Sequence, residues 1–92
     1  MPQLQQYESQ LTNGVGTISG TIVLRGFNSN RRSIMIQNLG TATLYVGGSG
    51  VTVDNGIQIG VNENIILENS GGAAVYCTAD GTCNIRFIEE IV

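Results

Sequence analysis

Residues 31–60 read RRSIMIQNLGTATLYVGGSGVTVDNGIQIG, and this stretch decides the fold class. Within residues 33–38, Ile34 and Ile36 alternate with Met35 and Gln37; within residues 43–46, Leu44 and Val46 alternate with Thr43 and Tyr45. Period-two alternation puts one set of side chains on each face of a β-strand. Leu39-Gly40-Thr41-Ala42 lies between the two runs and carries a glycine free to take positive φ, so a hairpin is expected there. Gly47-Gly48-Ser49-Gly50 ends the second run in a loop. Val51-Thr52-Val53 is a short extended piece, Asp54-Asn55-Gly56 a tight-turn signal, and Ile57-Gln58-Ile59 alternates again beyond it.

Working outward, residues 17–24 (TISGTIVL) read as one strand with a bend or bulge at Gly20. Ile65 and Leu67 face one way while Ile66 and Glu68 face the other. Ser70-Gly71-Gly72 breaks the chain, and residues 73–78 are expected to pair with residues 83–89 across Asp80-Gly81. Seven or eight short strands at roughly ten-residue spacing predict an all-β domain, an antiparallel β-sandwich or a jelly-roll-like fold. Ile34, Ile36, Leu44, Val46, Ile65, Leu67, Val75, Ile85 and Phe87 are its expected core. Residues 1–13 read as an extended N-terminal arm, with Leu4, Tyr7 and Leu11 as its sizeable apolar groups; Pro2 and Asn13-Gly14-Val15-Gly16 stop any longer helix. The remainder, residues 14–92, is a single domain, because splitting a chain this short would leave no viable core.

Composition narrows the function classes. The 92 residues are 41% apolar and 12% charged, a low charge density that suggests a partner covers part of the surface. Net charge is −3, and the basic residues are Arg25, Arg31, Arg32 and Arg86. Without a basic excess or aromatic platforms, nucleic acid is not an expected partner. The absence of histidine removes the commonest general base and metal ligand. The N-terminus lacks the features of a signal peptide, and no run approaches the roughly 18 apolar residues of a membrane span; synthesis in the cytoplasm and no membrane partner are expected.

The remaining polar groups assemble no chemistry. Glu89 and Glu90 are adjacent in a strand and point to opposite faces. Asp54-Asn55-Gly56 lacks the further oxygens of a Ca²⁺ loop, and Gly47-Gly48-Ser49-Gly50 lacks the lysine and helix of a phosphate loop. No enzyme activity, cofactor or metal is expected. Cys77 and Cys83 face each other if Ala79-Asp80-Gly81 is a three-residue loop, whereas a two-residue loop pairs Cys77 with Asn84; free buried thiols suit a cytoplasmic chain, and a disulfide could form after release. Met35, Tyr45, Ile66, Tyr76 and Ile88 occupy the face opposite the core and are expected to form a subunit interface in a homo-oligomer, the alternative being that the N-terminal arm or a loop packs over them. Arg31-Arg32 reads either as a solvated strand end or as an ion-pair anchor to an acidic partner.

Residues 30–60 resemble a segment of small structural proteins of tailed bacteriophages and prophages. The likeness is carried by Arg31, Arg32, Gln37, Asn38, Gly40, Thr41, Tyr45, Val46, Gly47 and Gly48, then Asn55-Gly56 and Ala74-Val75-Tyr76. It implies a virion location, most specifically that of a capsid cement or decoration protein bound to the major capsid protein on the head surface. Many equivalent contacts then give strong attachment, and shell symmetry favours a trimer. On that expectation Leu4, Tyr7, Leu11, Arg31 and Arg32 contact the shell, the arm by adding to a strand edge; Met35, Tyr45, Ile66 and Tyr76 contact neighbouring subunits. A carbohydrate- or receptor-binding module of a fibre or tail is the alternative, and a head-tail joining component a third possibility. Sugar binding would need exposed aromatic platforms, and the chain has three Tyr, two Phe and no Trp.

Overall fold

A computed structural model describes residues 9–68 and 72–92. Its strands are β1 (Gln10–Ile18), β2 (Ile22–Arg25), β3 (Arg31–Asn38), β4 (Leu44–Gly47), β5 (Ile57–Ile59), β6 (Asn64–Glu68), β7 (Val75–Ala79) and β8 (Cys83–Ile91). They form two four-stranded antiparallel sheets, in the order β1-β8-β3-β6 and β2-β7-β4-β5. No helix occurs among the described residues. The expected all-β sandwich is thus present, and the strand order makes it a jelly roll: consecutive strands change sheet at every step except β4 to β5.

The core lies between the sheets. Ile18, Ile34, Ile36, Cys83 and Ile85 come from the first sheet, and Leu44, Val46, Ile59, Val75 and Cys77 from the second. Leu24, Ile65, Leu67 and Phe87 pack against this cluster at its margins. Every residue expected in the core therefore faces it, with Ile65, Leu67 and Phe87 only partly buried.

Pairing differs from the local reading. Residues 33–38 and 43–46 do not form a hairpin: β3 pairs with β6 and β8, while β4 pairs with β5 and β7. Residues 73–78 and 83–89 likewise belong to opposite sheets. Residues 17–24 are not one bent strand, because the chain leaves β1 after Ile18, crosses at Ser19 and Gly20, and enters the other sheet as β2. Gln10 to Asn13, expected in the arm, are the first four residues of β1 and pair with β8 from Ile91 to Ile88.

Asn38 shows why β3 is followed by a crossing. It is fully buried, and its Nδ2 donates to the carbonyls of Ala42 and Ile59, each at 2.9 Å. Its Oδ1 accepts from Gly40 N at 2.9 Å and from the Cys83 thiol at 2.8 Å. These bonds satisfy every polar atom of the amide and tie the end of β3 to the second sheet through Ile59. Gly40 is needed beside it: a Cβ there would sit 2.7 Å from the backbone nitrogen of Asn84. The Asn-Leu-Gly-Thr segment is therefore an inter-sheet clasp.

Candidate functional site

The two adjacent arginines have opposite surroundings. A bulge between Arg31 and Ser33 breaks the β3–β8 register, and a bulge re-aims the side chain that precedes it. Arg31 turns inward and is 2% exposed; Arg32 stays in solvent. The Arg31 Nε donates to Glu89 Oε2 at 2.6 Å, Nη1 to the Ala73 carbonyl at 3.0 Å and Nη2 to the Gly26 carbonyl at 2.6 Å. Arg25 reaches the other carboxylate oxygen of Glu89, with Nη2 at 2.9 Å and Nε at 3.0 Å, and its guanidinium lies 5.0 Å from the centre of the Phe87 ring. Glu89 is itself 1% exposed. This knot joins β2 of one sheet to β3 and β8 of the other, so the expected shell contact through Arg31 is corrected: its donors are spent inside the domain. Leu11 and Arg32 remain on the surface, and Leu4 and Tyr7 lie outside the described residues.

The residues expected to form one subunit interface divide between two sheets. Met35, Ile66 and Ile88 stand on the outer face of the first; Tyr45 and Tyr76 belong to the second. Tyr45 is buried, not outward-exposed, because the loop of residues 48–56 folds over it. Val51, at 6% exposure, is the lid residue, and Gly56 stands close against both: a Cβ there would lie 2.8 Å from Tyr45 Cβ and from Val51 Cγ2. Asn55 holds the loop by donating to the Gly50 carbonyl and accepting from Thr52 N. Tyr76 is half-buried. A sugar platform at Tyr45 is incompatible with that cover.

The outer face of the first sheet carries no such lid among the described residues. Its register lines up three rows across β1, β8, β3 and β6: Leu11, Glu90, Ser33 and Glu68; then Asn13, Ile88, Met35 and Ile66; then Val15, Arg86, Gln37 and Asn64. Leu11, Val15 and Ile66 are 70%, 77% and 61% exposed. Shallow depressions of about 370 Å³ open between them, bordered by Met35 and Ile88. Val15, Arg86 and Glu90 were not singled out from sequence for this face. Gly14 and Gly16 disguise β1 as a turn, yet the Phe87 ring fills the space above Gly14 and restores a continuous inner surface.

Cys77 and Cys83 are buried and free, on facing sheets. Burial, with a smaller contribution from Cys83, raises the Cys77 thiol to about 11; burial also raises Cys83, against the Gly40 amide that lowers it. Such thiols are poor nucleophiles and poor ligands near neutral pH. Among the described residues no three His, Cys, Asp or Glu side chains gather to hold a metal.

No protein-family model matches the chain, and no curated protein matches it in sequence. Solved structures that share its fold include the following two. A cupin-2 domain-containing protein from Shewanella frigidimarina aligns over 94% of this chain and 82% of its own, with a TM-score of 0.59 and 14% identity. The protein of Bacillus endospore appendages, which form disulfide-linked pili, aligns over 92% of this chain and 87% of its own, with a TM-score of 0.51 and 11% identity. At these identities the likeness is one of fold.

Proposed function

We propose that the chain is a non-enzymatic structural subunit that works in an assembly, and, following the resemblance of residues 30–60, that the assembly is a phage virion in which it decorates the head. The observation that carries the reading is the contrast between a core that consumes the domain's buried charges and an outer sheet face left with Leu11, Val15, Met35, Ile66 and Ile88. Apolar residues contiguous on one face are the usual mark of an interface. A chain of similar fold is found in the Bacillus endospore appendages, which form pili, and a two-sheet fold with few open edges suits repeated contacts.

The test is co-sedimentation of the purified protein with phage heads stripped of their surface proteins. Binding at hundreds of copies per particle supports decoration, whereas a few copies would point to a joining component. Removal of residues 1–8 should weaken attachment and leave the β circular dichroism unchanged, since β1 begins at Gln10. Arg32→Ala should weaken attachment further, and Arg31 belongs to the stability experiments instead. Absence of binding to any head, with binding to a glycan panel, would sink the reading.

A further inference from the structure

The outer face of the first sheet has a charge pattern with direction. Along β8 the outward side chains run Arg86, Ile88, Glu90, so one margin of the apolar row is positive and the other negative. Glu68 on β6 adds to the negative margin, beside Ser33, and Asn64 and Gln37 fill the other. Neither Arg86 nor Glu90 has an ion-pair partner among the described residues. Four residues apart on an extended strand they are about 13 Å from each other, too far to pair within the subunit.

We infer that this face binds the same face of a second copy, with a twofold axis lying in the interface along the row Asn13, Ile88, Met35 and Ile66. That axis reverses the strand direction and keeps each strand opposite its own equivalent. Ile88, Met35 and Ile66 then meet their own counterparts, Leu11 meets Val15 of the second copy, and Arg86 meets Glu90 of the second copy twice over. The other in-plane axis, parallel to the strands, would set Leu11 against Glu68 and Asn13 against Ile66, and a simple translation cannot bring this face against itself. Complementarity therefore selects one arrangement.

The size is sufficient. Four strands at about 4.8 Å and five residues at about 3.4 Å give a plan area of about 330 Å² per subunit. Standing side chains expose more than their plan area, so the pair buries on the order of 1,000 Å² in total, the low end for a specific interface. The dimer should be reversible on dilution. This proposal deepens the assembly reading above, replaces the trimer expected from shell symmetry with a dimer, and can fail without that reading.

The test is solution mass by light scattering across a dilution series of the full chain. The wild type should reach about twice the mass of the 9.7 kDa chain and dissociate on dilution. Arg86→Glu and Glu90→Arg each oppose like charges at both margins and should raise the dissociation constant at least about tenfold. The double variant R86E/E90R restores opposite charges and should restore the dimer, a rescue that a fold defect cannot give. A threefold mass, an unaffected single variant or a failed rescue overturns the inference. So does a monomer at every concentration, including one that dimerises only when residues 1–8 are removed, which would give the face to the chain's own N-terminus. Particle co-sedimentation of the same variants separates the two readings: single variants that are monomeric yet still bind heads support the interface as distinct from the head contact.

Discussion

The two sheets of this jelly roll start from similar strands and treat their outer faces in different ways. On the second sheet, Tyr45 projects away from the core and is covered by Val51 and the loop that joins β4 to β5. On the first, Met35, Ile66 and Ile88 project away from the core, and no loop among the described residues crosses them. The strand pattern that announces both faces is the same alternation. What separates them is the length of one connection: the nine residues between β4 and β5 are enough to fold back over their own sheet. An outward apolar side chain is thus an interface candidate only where no connection of the same chain reaches it.

The largest effect is expected in the charge knot that holds the sheets together. Arg31→Met leaves Glu89 buried with Arg25 as its remaining partner and removes the guanidinium's bonds to the Gly26 and Ala73 carbonyls, and should cost about 3–5 kcal/mol in urea unfolding. Arg32→Met, one residue away in solvent, should change stability by less than about 0.5 kcal/mol. Equal losses would mean that the bulge does not separate the two. Next comes the covered face: Tyr45→Ala removes a buried ring from beneath Val51 and should cost about 3 kcal/mol, read as a lower unfolding midpoint at unchanged slope. A loss below about 1 kcal/mol would mean that the loop does not seal the ring.

Between the sheets, the thiols give a pH signature. The native Cys77 pKa is raised to about 11 from 9.0, so the folded state holds its proton where the unfolded state has released it. Stability should be unaffected by this group below pH 9 and fall between pH 9 and 11, by on the order of 2–3 kcal/mol. Cys77→Ser should flatten that slope, and a slope unchanged by the substitution would assign it elsewhere. The smallest effect is expected on the open face: Ile66→Thr should shift unfolding of the dilute monomer by less than about 0.5 kcal/mol while weakening self-association. A large stability loss there would show that Ile66 is covered after all, and would erase the difference between the sheets.

Arg31 illustrates how a charged residue misleads at the level of sequence. Two adjacent arginines before a strand read as a solvated end or an anchor, and only the β-bulge separates them, sending one to Glu89 and leaving the other outside. Glu89 lies 58 residues further along the chain. The hairpin between residues 33–38 and 43–46 failed for a related reason. Gly40 marks a chain reversal under either arrangement, and the choice of a crossing is made by Asn38, whose amide is satisfied only by Ala42, Ile59, Gly40 and Cys83 together.

Period-two alternation is a local property of the chain, set by the pleat, so the all-β class, the positions of most strands and the side of each that faces the core are legible in the residue pattern. It also placed Met35, Ile66 and Ile88 opposite that core. Strand partners, the burial of Arg31 and the cover over Tyr45 were decided by the tertiary structure alone. Those outcomes depend on contacts between segments far apart in the chain, where the free energy of satisfying a buried carboxylate or amide outweighs what any turn prefers locally.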